Sequence, residues 1–104
     1  MMETDIFRAL ADPTRRAVFE QLAGGEKTVG DLKAGFAISQ PAVSQHLAAL
    51  RKAGLVAERR EGRNVFYRVV PEGLAPLANW MERYRSFWPD RVERLKTVLK
   101  EMDQ

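Results

Sequence analysis

The sixteen residues from Ser39 to Gly54 constrain this chain more than any other segment. Ser39 is a helix N-cap residue type, and Pro41 falls within the first turn that it would open, where a missing N–H is tolerated. Val43, Leu47 and Leu50 follow at i, i+4 and i+7 and form one apolar stripe. Gly54 stands where a left-handed residue closes a helix, and Leu55 can fold back onto it. Opposite the stripe lie Pro41, Gln45, Ala48 and Lys52, with Ser44 and Arg51 on one flank and Ala42 and Ala49 on the other. The predicted helix thus has two marked ends, one face to bury, and an outer face of small residues with a few hydrogen-bonding side chains.

The flanking segments supply what such a helix packs against. Asp12-Pro13-Thr14 is an N-cap followed by proline at the first helical position. It predicts a helix from Pro13 to Ala23 that buries Ala17, Val18 and Leu22 and stops at Gly24-Gly25, with a shorter helical turn, Asp5 to Leu10, before it. Thr28-Val-Gly-Asp31 has the form of a capping box with aspartate in the usual glutamate place. It opens a short helix over Val29–Ala34 that buries Val29, Leu32 and the stem of Lys33. Two short helices joined by a glycine-containing turn, Gly35 to Ile38, make a helix-turn-helix. Beyond it the period changes. Val56–Arg60 and Val65–Val70 read as strands around the turn Glu61-Gly62-Arg63-Asn64, and Pro71-Glu72-Gly73 closes the second. A hairpin directly after a helix-turn-helix is a wing. The expected fold is mostly α with a small β-hairpin wing, a winged helix-turn-helix.

From Leu74 to Met102 the pattern is helical again. Alternate steps of four and three from Leu77 reach Met81, Tyr84, Trp88, Arg91, Leu95, Val98 and Met102, a coiled-coil-like seam interrupted only by Arg91. Trp80 and Phe87 add a neighbouring stripe. So wide an apolar face exceeds what one small domain needs, and a second copy of the chain is the natural cover. Leu77, Trp80, Met81, Tyr84, Trp88 and Leu95 are the expected interface residues. Pro89 should kink or break the helix and push Trp88 away from helical angles, leaving Asp90 to Glu101 as a second piece.

Composition removes whole classes of function. The 104 residues contain no cysteine and one histidine, His46, which excludes disulfides, thiolate metal sites and multi-histidine sites, so no metal or cofactor is expected. No stretch is long and apolar enough to span a membrane, and the N-terminus lacks signal-peptide character, so a cytoplasmic protein is expected. No nucleophile-base pair or phosphate loop suggests an enzyme. The net charge is +3 overall but +4 within Ser39–Val70, which points to double-stranded nucleic acid as the partner. A solvated charged hairpin would carry the same charges.

On the outer face of the Ser39–Gly54 helix, an amide can pair with both edge groups of adenine in a major groove, and small neighbours let the backbone approach. Gln45 is the first candidate for base reading and Gln40 the second; Ser39, Ser44, Arg51 and Lys52 suit phosphates. His46 lies at the edge of the buried stripe, where packing or a phosphate contact fits better than catalysis. In the wing, Arg60, Arg63 and Asn64 are candidates for a neighbouring groove or its phosphates, with Arg59 and Glu61 suited equally to a charged edge strand and Arg15 and Arg16 weaker candidates.

Ala11-Asp-Pro-Thr-Arg-Arg16, Val29-Gly-Asp-Leu32, Ser39-Gln-Pro-Ala-Val-Ser-Gln-His-Leu47, Leu50-Arg-Lys-Ala-Gly-Leu-Val56 and Arg59-Arg-Glu-Gly-Arg63 together resemble an ArsR-type winged-helix repressor. The resemblance runs from Asp5 to Val70. It implies a homodimer joined through its first and last helices, recognition helices in successive major grooves of a near-palindromic operator, and repression relieved by an effector. The metal-sensing members' thiolate pair falls here on Thr28 and Gly30, and their last-helix site lacks its histidine, so the resemblance is to a branch without metal sites. The expected organisation is one domain over 1–104, with a DNA-binding core over 5–73 (its wing 56–70) and a dimerisation helix over 74–104. Two alternatives use the aromatic residues differently. In one, the chain is a protein-interaction module that docks through them; in the other, Trp80, Tyr84 and Phe87 line a pocket for a small-molecule effector.

Overall fold

A computed structural model describes residues 3–88, 97–98 and 100–102. Its elements run α1 (Glu3–Ala11), α2 (Pro13–Ala23), β1 (Lys27–Thr28), α3 (Val29–Lys33), α4 (Gln40–Lys52), β2 (Val56–Glu61), β3 (Asn64–Val69), a 3₁₀ turn (Pro71–Leu74), α5 (Ala75–Glu82) and a second 3₁₀ turn (Arg85–Phe87). Mostly helical with a small antiparallel sheet, this is the architecture expected from the sequence.

The capping chemistry forms as read. The Asp12 carboxylate accepts from the Arg15 amide at 2.9 Å, and this bond above all holds its pKa below the usual aspartate value. Thr28 and Asp31 exchange reciprocal bonds of 3.1 Å, a complete capping box. Ser39 Oγ accepts from the Ala42 amide at 3.2 Å. At the far end of α4, Gly54 takes a φ of +81°, its amide donates to the Arg51 carbonyl, and the Leu55 amide donates back to Leu50, both at 3.0 Å. That pair of bonds is a Schellman motif, and it turns Leu55 into the core.

The core is built where the three helices and the sheet meet. Val18 and Leu22 of α2, Leu32 of α3, and Val43, Leu47 and Leu50 of α4 are buried together with Ile6, Leu55 and Val56. Ala17, Val29 and Lys33 are not fully buried as expected: Ala17 and Val29 are half-buried, and Lys33 is exposed at the end of a five-residue helix.

The wing is a two-residue hairpin with Glu61 opposite Asn64 and Val56 opposite Val69. Gly62 has φ +62° while Arg63 does not take positive φ, the sign pattern of a type II′ turn. The sequence reading missed one strand. Lys27 and Thr28 pair with Tyr67 and Phe66, giving the sheet order β1-β3-β2. Two residues immediately before a capping box carry no strand signal of their own; only the edge of β3 makes them a strand.

The C-terminal segment departs furthest from expectation. The helix that should have continued to Trp88 stops at Glu82, where the Arg83 and Tyr84 amides donate to Trp80 and Met81 in tightened, three-residue steps. No residue of α5 is fully buried and no side chain caps it; it is held by Leu77 against the core and by Trp80 against Phe7 of α1. Trp88 is extended, with ψ 137°, as the residue before a proline should be. Pro89 itself, Arg91 and Leu95 lie outside the described residues. Gly73 sets the angle at which this segment leaves the sheet. A Cβ there would lie 2.0 Å from the Gly54 carbonyl oxygen, so only glycine lets the Pro71–Leu74 turn cross the end of α4 at this distance.

Candidate nucleic-acid interface

Helix α4 presents the expected outer face. Gln40, Pro41, Ser44, Gln45, Ala48 and Lys52 are exposed, opposite the buried Val43, Leu47 and Leu50. Gln40, Ser44, Gln45 and Lys52 make no side-chain bond within the described residues, so their polar groups are available to a ligand. The Ser39 hydroxyl already accepts the Ala42 amide as the cap and keeps only its donor for a phosphate. His46 is half-buried beside the Val43, Leu47 and Leu50 stripe, unlike the exposed residues of the outer face.

Arg51 is engaged in an ion pair: its Nη1 lies 2.8 Å from Glu58 Oε1 on β2. Tyr67 on β3 lies opposite Glu58 in the strand register, and its phenol pKa is raised by burial first and by the Glu58 charge second. Glu58 therefore ties α4 to the first wing strand. It was not foreseen as a functional residue, although its place two residues before Arg60 puts both on one face of the strand.

That alternation sorts the adjacent wing arginines. Arg59 points to the opposite face, where its Nε and Nη2 donate to Glu26 at 3.0 and 2.7 Å and its Nη1 bonds Glu61. Its guanidinium also stacks 4.6 Å from the Phe66 ring centroid. Glu26, two residues upstream of Thr28 in the chain, is thereby clamped to the wing, and these bonds hold its pKa below the ordinary glutamate value. Arg60 shares the face of Glu58 and Tyr67, the face joined to α4, and is exposed without a partner among the described residues. Arg63 and Asn64 are exposed at the hairpin tip. Arg15, half-buried, and Arg16, exposed, both turn toward α1, their guanidiniums donating to its final carbonyls, Ala9 at 3.4 Å and Leu10 at 2.9 Å.

An exposed helix face with free amide and hydroxyl groups, braced against a wing carrying free arginines, matches what the wider comparisons return. Residues 12–58 match the family model of bacterial regulatory proteins of the arsR family. The chain is 38% identical over 77 residues to the transcriptional repressor SdpR of Bacillus subtilis, covering 74% of this chain and 86% of that one. It is 46% identical over 78 residues to the transcriptional regulator Rv2034 of Mycobacterium tuberculosis, covering 75% and 73% respectively. A crystal structure described as a possible transcriptional regulator for arsenical resistance superposes with a TM-score of 0.70 at 44% identity, covering 90% of this chain and 95% of that one.

This chain belongs to the ArsR family. It is a DNA-binding transcriptional regulator with a winged helix-turn-helix. The segment matched to the ArsR-family model begins at the Asp12 cap and ends at Glu58, the residue that braces α4 against the wing. The second wing strand and the aromatic C-terminal segment of this ArsR-family protein lie outside that segment.

That aromatic segment forms a stack. Phe7 of α1 meets Trp80 edge-on at 5.2 Å, Trp80 meets Tyr84 at 5.1 Å, and Tyr84 meets Phe87 at 6.4 Å. The four rings remain 37%, 37%, 43% and 80% exposed in that order, a continuous run of apolar surface. Leu77 packs on the core, and Met81 is half-buried beside the stack.

Proposed function

We propose that this ArsR-family regulator is a homodimeric repressor acting in the cytoplasm on a near-palindromic operator. Its two α4 helices enter successive major grooves whose centres lie about 34 Å apart. Gln45 reads a base edge, with Gln40 beside it; Ser39, Ser44, Lys52, Arg60, Arg63 and Asn64 hold phosphates. Arg51 fixes the wing angle through Glu58 before it meets DNA, and His46 supports α4 from behind.

The observation that carries this reading is the outer face of α4, where unpartnered polar groups sit among small residues on a helix clamped to a basic wing. The homodimer reading is supported by the exposed ring stack joining α1 to the C-terminal segment. Relief by a thiolate-bound metal or arsenical has no chemical basis in these 104 residues, because such ions are held by cysteine sulfur and there is none.

Selection of duplexes from a random library, followed by fluorescence anisotropy, tests the proposal. A two-fold symmetric site should emerge, with affinity falling steeply as salt rises. Gln45→Ala should weaken the selected site by about 1–3 kcal/mol and flatten base preference at one position per half-site. Arg60→Ala and Arg63→Ala should weaken all sequences alike and reduce the salt slope by about one each. Salt-independent binding, or none to any duplex, would overturn the reading.

A further inference from the structure

A cleft of about 450 Å³ opens between α1, α2 and the end of α4. Three cations line it, Arg8, Arg15 and Lys52, with Asp5 the only acid and alanines (Ala9, Ala49, Ala53) completing the wall. Arg8 and Lys52 have no ion-pair or hydrogen-bond partner among the described residues, and neither has Asp5. Arg15 is anchored from behind, its Nη1 donating to the Arg8 and Ala9 carbonyls at 3.5 and 3.4 Å. Its Nε is shut off from solvent with no acceptor. With Nη1 bonded and Nε occluded, this guanidinium meets the cleft through Nη2.

We propose that this cleft binds a small molecule through a carboxylate or phosphate group. Three cations converging on one concavity, against a single carboxylate, leave a positive potential that low-dielectric walls concentrate. An oxyanion relieves that repulsion, and a preheld guanidinium is suited to bind it. The volume lies within the range of about 300–1,000 Å³ typical of small-molecule sites. A duplex phosphate approaches protruding cations, whereas Arg15 is recessed; the source favoured by the geometry is therefore a free molecule. The site is separate from the ring stack, because Phe7 leaves α1 on a different face from Asp5 and Arg8. Ala49 and Lys52 belong to the last turns of α4, so an occupant touches the helix that reads DNA. Binding itself does not rest on the DNA reading.

Citrate and inorganic phosphate serve as probes, titrated against sodium chloride at matched ionic strength. The expected result is saturable binding by calorimetry, with amide shifts in a ¹⁵N spectrum centred on Ala9, Ala49 and Ala53. Arg8→Gln and Lys52→Gln, both at exposed positions, should each weaken binding at least fivefold, and Lys33→Gln, exposed outside the cleft, should leave it unchanged. No saturable response beyond chloride would overturn the proposal, as would a response that survives both cleft substitutions. A response lost with Lys52→Gln but untouched by Arg8→Gln would assign it to the outer face of α4 and equally overturn the proposal.

Discussion

Helices α4 and α5 are both amphipathic in sequence, yet they end very differently. Helix α4 is closed by Ser39 at one end and a Schellman turn at the other, and its stripe is buried completely. Helix α5 has no side-chain cap, buries none of its residues fully, and stops after eight residues although the apolar pattern continues. The lesson is that an apolar period predicts a helix only as far as something covers it. The stripe of α4 finds α2 and α3 within the same chain; beyond Leu77, the stripe of α5 meets Phe7 of α1 and stays largely uncovered among the described residues.

This contrast can be broken most forcefully in the core. Leu47→Ala removes a fully buried side chain and should lower stability by about 2–5 kcal/mol, read from urea unfolding. Trp80→Ala should cost the monomer much less and instead weaken the proposed self-association, seen as a smaller rise of Tm with protein concentration. Equal effects of the two substitutions on dilute protein would erase the distinction.

Gly73 couples the two regions, and it comes next in size. A Cβ so close to the Gly54 carbonyl cannot fit without moving backbone, so Gly73→Ala should destabilise by about 1–3 kcal/mol. Because Gly54 ends α4, DNA affinity should fall with it in anisotropy assays. Ser39→Ala removes one cap bond and should cost about 1 kcal/mol, with α4 amides near Ala42 exchanging faster.

The smallest expected effect is a pH dependence of the wing clamp. The Glu26 carboxyl titrates below its ordinary value of 4.5, chiefly because Arg59 hydrogen-bonds its charged form. Its contribution is therefore complete above the unfolded-state pKa and disappears as pH falls through the lower folded value. Tm of Glu26→Gln should consequently lie slightly below the parent near neutrality and converge on it as pH falls, a shallower acid limb. The pair is exposed and screened, so high salt should shrink the difference.

Much of the interface was legible because its determinants are local. Ser39, Thr28, Asp12 and Gly54 each act within a few residues, and the spacing of Val43, Leu47 and Leu50 defines the outer face by subtraction. Arg59 and Arg60 show where legibility ends. Alternation along β2 separates them onto two faces, yet the Arg59 partner Glu26 is 33 residues away, and only the pairing of β1 with β3 brings them together.

The sequence by itself determined the capped reading helix, its exposed Gln45 and Lys52, and the absence of any thiol. Those are properties of one segment or of composition. Tertiary structure decided what depends on contacts between distant segments: the third strand, the Glu58 brace on Arg51, the fixed glycine at 73, and the early end of α5. The physical reason is range. Caps and periods act over one or two turns, whereas ion pairs across a sheet and the cover over an apolar face depend on where the rest of the chain has gone.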